Sequence, residues 1–187
     1  MNKILLCILF LSLCSCTSIP ISTIAKMSTF GWEDFQAINS EEVKVKITVP
    51  DGFVLNSEES WIGIDINSSA GTHDGVFNLE QFESPYSETQ RHFLTNKKVT
   101  VYSLRFDKSS RAKFDQLQGF LSKSTVDDIA IRVVPKLRSF PTTAENIEVS
   151  IDIQFSSTDG YFTLVDKAEL SLEKLRASTK AKLIKQG

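Results

Sequence analysis

The side chains best able to do chemistry are few, and their placement limits them. All three cysteines lie within the first sixteen residues, at positions 7, 14 and 16. A thiolate can serve as nucleophile, metal ligand or disulfide partner. Beyond Cys16 those roles are closed, so neither a disulfide nor a thiolate metal site is expected there. His73 precedes Asp74, and an imidazole beside a carboxylate has the parts of an oriented general base. Its setting, Ser68–Gly75, is rich in turn formers and reads as a polar loop. His92 sits near Glu88 and Arg91, and no His-x-x-x-His or His–carboxylate spacing joins it to His73 as a metal site. Ser171 to Lys174 fits a bare Ser-x-x-Lys pattern without the companion motifs of the serine enzymes that use one. Asp127 and Asp128 are neighbours in a strand-like stretch, where they point to opposite faces and make no glycosidase pair. Phosphate loops and dinucleotide fingerprints are missing too. No catalytic residue, metal or cofactor is therefore expected.

The first sixteen residues, MNKILLCILFLSLCSC, have a different significance. Lys3 gives a basic start, Ile4 to Leu13 an apolar run, and small residues follow. That order is the layout of a secretory signal, and the run is far shorter than the ~20 residues needed to span a bilayer. Leu13-Cys14-Ser15-Cys16 resembles the lipobox of bacterial lipoproteins. The resemblance implies cleavage between Ser15 and Cys16, a diacylglycerol on the Cys16 thiol and an acyl chain such as palmitate on the new amine. Two or more chains hold a protein stably on a membrane, because each buried methylene adds ~0.8 kcal/mol. Thr17, where an aspartate would direct retention in the inner membrane, implies by the same resemblance an outer-membrane anchor with the domain facing the periplasm. The expected organisation is a signal over 1–15, a lipidated cysteine and tether over 16–27, a β-rich domain over 28–173 and a basic tail over 174–187.

Composition sets further bounds. The chain has 187 residues, with 21 basic and 23 acidic side chains and a net charge of −2. That balance gives no electrostatic reason to expect nucleic acid as a partner. Once the signal is removed, the length suits one domain with its own core.

Hydrophobic periodicity supplies the elements. Val43 to Val49 alternates without a fault, with Val43, Val45, Ile47 and Val49 on one face and Lys44, Lys46 and Thr48 on the other. Pro50-Asp51-Gly52 then turns the chain. Alternating or β-branched runs predict further strands at 61–67, 76–83, 98–106, 128–134 and 147–155, with shorter apolar pieces at 161–164 and 168–172. Residues 84–97 read as polar and irregular. One helix is expected to begin at Asp107 or Ser109, with Phe114, Leu117 and Leu121 forming its apolar stripe, and a short N-terminal helix near 28–38. The fold class expected is mainly β: an antiparallel β-sandwich with one helix in a crossover and the short N-terminal helix. The alternative is an α+β arrangement with the helix on one sheet face.

Several of these stretches together resemble a group of small uncharacterised lipoproteins of Gram-negative bacteria. They are the lipobox, the Phe30-Gly31-Trp32 region, Val43 to Phe53, Val99 to Phe106 before the helix, and Tyr161-Phe162-Thr163-Leu164 with Asp166. The group tends to show Leu-Pro-x-Gly where this chain has Val49-Pro50-Asp51-Gly52, and it brings no activity with it. The small β-sandwich lipoprotein of the type VI secretion apparatus is similar in architecture alone.

Two surfaces are candidates for an envelope protein partner. Trp61 falls on the opposite face from Ile62, Ile64 and Ile66, and an outward tryptophan makes a contact platform unless the helix carrying Trp32 covers it. Lys174 and Arg176 begin a basic run suited to anionic headgroups or to solvent. The function expected from all this is a lipid-anchored envelope protein that binds or assembles rather than catalyses.

Overall fold

The structure is a computed structural model and describes residues 19–91 and 96–173. Among them the chain forms helices α1 (Ile21–Thr29) and α2 (Trp32–Ala37), strands β1 (Lys44–Pro50), β2 (Val54–Leu55), β3 (Trp61–Ser68), β4 (Gly71–Gln81), β5 (Tyr86–Arg91) and β6 (Asn96–Phe106), helix α3 (Lys108–Leu121), and strands β7 (Val126–Val134), β8 (Leu137–Ser139), β9 (Asn146–Gln154) and β10 (Phe162–Ser171). It is a mainly β fold built on one curled antiparallel sheet of the sandwich or half-barrel kind, with few helices. The strand order is β10-β9-β1-β6-β4-β3-β7. β5 lies beside the first half of β6 and β4 beside its second half, while β2 and β8 pair separately.

Alternation decides which residues go inside. Val45, Ile47 and Val49 of β1 are fully buried, as are Leu104 of β6 and Ile153 of β9. In register with them, Tyr102 lies opposite Ile47, which in turn lies opposite Ile151. The intervening residues of the same strands point outward.

Helix α3 runs in the crossover from β6 to β7. Its start is held twice. The Asp107 carboxylate accepts the Ser110 N–H at 2.6 Å, an N-cap, and the buried Ser110 hydroxyl accepts the Asn78 N–H of β4 at 2.7 Å. Phe114 and Leu121 are buried and Leu117 half-buried, as the stripe predicted. Phe114 joins Phe35, Phe77 and Phe106 in an aromatic cluster with ring centres 5.1–5.6 Å apart. Gln118 donates to the Phe35 and Ile38 carbonyls at 2.7 and 3.1 Å, satisfying the end of α2.

Several boundaries differ from the sequence reading. The N-terminal helical region is two helices rather than one, broken at Phe30 and Gly31. Helix α1 takes up much of the expected tether, and Thr23 within it is buried against β10, so the packed domain begins before residue 28. Residues 71–75 belong to β4, because β3 and β4 are joined by a tight turn at Ser69-Ala70 instead of a long loop. Residues 86–91, expected to be irregular, form β5. Both faces of β5 are largely polar and exposed, so no alternation betrays it. The two apolar pieces at 161–172 are one strand, β10, interrupted by bulges. The Pro50-Asp51-Gly52 turn is as expected, with Phe53 N–H bonded to the Pro50 carbonyl and Gly52 at φ +87°.

Candidate functional site

The outward face of the sheet carries a concavity of about 510 Å³ that spans β10, β9, β1, β6 and β5. Register builds it. Thr163, Asp152, Lys46 and Ser103 line up as one row across β10, β9, β1 and β6. Ser150, Thr48, Val101 and Tyr86 form the next row, across β9, β1, β6 and β5. On β1, β6, β9 and β10 these residues alternate with inward-facing ones, so burying the core aims their side chains out together, and β5 adds Tyr86 by pairing with β6.

The rims come from the edge elements. Glu88 and Arg91 of β5 stand on one side, and Asp166 and Lys167 of β10 on the other. The β10 rim exists because the strand bulges between Val165 and Ala168. Lys167 takes φ +51°, unusual for a residue with a Cβ, and its N–H donates to the Ser150 hydroxyl at 3.0 Å. Strained bulges often re-aim side chains beside functional surfaces.

The electrostatics are balanced. Lys46, Arg91 and Lys167 face Glu88, Asp152 and Asp166 around the same space. The Lys46 ammonium lies 4.4 Å from the centre of the Tyr161 ring. Burial, and then the neighbouring Glu83, Tyr86 and Asp152, push the Tyr161 phenol above its ordinary pKa, so it remains a neutral donor. Two of the hydroxyls are engaged: Thr163 donates to Asp152 at 2.6 Å, and Ser150 accepts from Lys167. The lining offers donors, acceptors and both charges. Such a lining suits a polar ligand.

The residues singled out by sequence lie elsewhere. Trp61 is half-buried, and its outward ring is occupied from within the chain. The Arg132 guanidinium sits 5.7 Å from the ring centre and also pairs with Asp65. Gly63, directly opposite Arg132 in the β3–β7 ladder, makes room for this: a Cβ there would lie 2.7 Å from Arg132 Nε and 2.8 Å from Trp61 Cζ3. Trp32 is half-buried and stacks on Phe35 at 5.4 Å. The cover expected from Trp32 over Trp61 is thus supplied by Arg132. His73 and Asp74 are successive residues of β4 and alternate in direction, so they form no dyad. The His73 ring meets Phe120 edge-on at 5.2 Å. Among the described residues no group of three or more His, Cys, Asp or Glu is placed to hold a metal ion. Ser15, Cys16, His92, Lys174 and Arg176 lie outside the described residues.

Sequence reasoning missed this groove, although a signal was present. Lys44, Lys46 and Thr48 alternate with the core of β1, and Ser150 and Asp152 with that of β9. Sequence alone does not say that these two strands are neighbours. No helix among the described residues is long and apolar enough to cross a membrane. No known family model, curated protein or solved structure matches the chain.

Proposed function

We propose that the chain is a lipid-anchored module of the bacterial envelope that binds a polar, mixed-charge partner in the outer-face groove and performs no reaction of its own. The anchor rests on Leu13-Cys14-Ser15-Cys16 behind a short apolar signal, with Cys16 the lipidated residue and the outer membrane, facing the periplasm, as the location. The observation that carries the binding role is the convergence of Lys46, Tyr86, Arg91 and Asp152 from three strands on one concavity. Its size falls within the ~300–1,000 Å³ of ligand sites, while its polar lining favours an extended polar segment or saccharide-like surface over an apolar small molecule. Confinement to a membrane surface raises effective concentration, so a weak contact suffices.

Two measurements test this. Palmitate labelling of the parent and fractionation of Cys16→Ser test the anchor: the parent takes up label, and the variant leaves the membrane fraction. An unlabelled parent sinks the anchor. Crosslinking in intact cells tests the groove: Lys46→Ala with Asp152→Ala should abolish a reproducible envelope crosslink while the domain still melts cooperatively. A crosslink unaffected by that double change moves the binding surface elsewhere.

A further inference from the structure

Helix α1 turns large apolar side chains away from the domain. On the domain side, beside the half-buried Met27, Thr23 is only 3% exposed, its hydroxyl donates to the Thr163 carbonyl, and the Lys26 ammonium lies 4.3 Å from the centre of the Phe162 ring. The side it turns away carries two exposed isoleucines: Ile21 is 85% exposed and Ile24 53%. At 100° per residue Ile21 lies about 160° and Ile24 about 100° from Thr23, so both share the outer side of the helix one turn apart, with Ala25 and Ser28 beside them. Ile19, 46% exposed, precedes the helix. Scattered apolar residues on a surface need no explanation, but three isoleucines in six positions of one short segment do.

What covers them follows from where the segment starts. Ile19 is three residues from Cys16, and three residues fully extended span at most about 10 Å. A lipid on Cys16 therefore holds this face within reach of the headgroup layer whatever path the chain takes. We infer that Ile19, Ile21 and Ile24 rest in the interface of the bilayer that carries the lipid, making α1 an in-plane docking helix and not a spacer. The inference rests on the lipid-anchored reading above. It adds an orientation: β10, which receives Thr23, becomes the strand nearest the bilayer, and the β10 rim of the groove lies closer to the lipid than the β5 rim. A helix with an apolar outer face supplies the second membrane contact that fixes orientation, where acyl chains alone fix only distance.

The test uses the full lipidated protein in vesicles of phosphatidylethanolamine and phosphatidylglycerol. No cysteine follows Cys16, so Ile24→Cys, Ile21→Cys and, as a control on β7, Asp127→Cys each provide a single labelling site. A polarity-sensitive fluorophore at 24 or 21 should shift to the blue on reconstitution and be quenched several-fold more by nitroxide lipids than the same fluorophore at 127. Emission and quenching at both 24 and 21 matching those at 127, in protein that carries palmitate, overturn the docking helix and leave the anchor standing. Absence of palmitate overturns both. A label at 24 that is shielded from the nitroxide lipids yet crosslinks to a protein gives the face to that partner and also overturns the inference.

Discussion

The Thr163 hydroxyl donates to Asp152 Oδ1 at 2.6 Å across the β10–β9 ladder, while the Thr163 backbone carbonyl receives the hydroxyl of Thr23 from α1. One residue thus joins the N-terminal helix to the wall of the polar groove. Thr163→Val preserves shape and β-branching and deletes only the hydroxyl. A half-buried bond to a carboxylate contributes ~1 kcal/mol, so the melting temperature should fall by ~3 °C. Calorimetry reads this directly, and an unchanged Tm would mean that water replaces the hydroxyl at no cost.

The β9 alternation makes a paired prediction. Ile151 is 4% exposed between Ile47 and Val165, whereas Asp152 is half-buried on the outer face. Ile151→Asp should prevent folding, because an unpaired buried carboxylate costs several kcal/mol of a total stability of ~5–15 kcal/mol. Asp152→Asn keeps an acceptor for Thr163 and should melt within a few degrees of the parent. Circular dichroism melts of the two variants check the register, which would be wrong if they behaved alike.

Arg132 shields Trp61, so Arg132→Ala should expose the indole. In a Trp32→Phe background the emission should move to the red and become more accessible to a soluble quencher. Gly63→Ala should act in the same direction through a different cause, since its methyl would occupy the space shared by Arg132 and Trp61. Arg132→Ala should lower stability only modestly, because the Arg132–Asp65 pair is partly exposed. Unchanged emission in both would show that the ring is not stacked under Arg132 in solution.

Two groups predict opposite pH responses. The Ser157 N–H donates to Glu42 at 2.6 Å and, with smaller help from the Ser157 hydroxyl, Asn39 and Lys44, holds that carboxyl below its ordinary pKa. Its contribution is present above the ordinary carboxylate value and is lost as pH falls through the lower folded value. Tyr161 is raised, chiefly by burial. Its contribution is complete below the ordinary tyrosine value and is lost as pH rises through the higher folded one. Melting against pH should therefore show Glu42→Gln flattening the acid limb and Tyr161→Phe flattening the alkaline limb. Ultraviolet difference titration of the parent against Tyr161→Phe should isolate a phenol that ionises above the ordinary tyrosine value. Variants whose limbs coincide with the parent's would remove these two groups as the cause.

The sequence by itself determined the strands with one buried face. In Val43–Val49 and Ile147–Phe155 every second residue is apolar, and a period of two leaves a single arrangement of the side chains that buries them. It narrowed the start of α3 to Asp107 or Ser109 and set its stripe through Phe114, Leu117 and Leu121, because helical periodicity is local, and the structure chose Asp107 as the cap. It also confined thiol chemistry to the first sixteen residues. The tertiary structure alone decided that β1 lies between β9 and β6, which brings Lys46, Asp152 and Tyr86 to one groove although they are far apart in the chain. It decided that Arg132, not the helix carrying Trp32, covers Trp61, since that depends on β7 pairing with β3. It decided the existence of β5, whose residues have no apolar face and are ordered by the hydrogen bonds of β6. The physical reason is the same in each case: alternation reports which face of a strand is buried, and carries no information about which strand lies beside it.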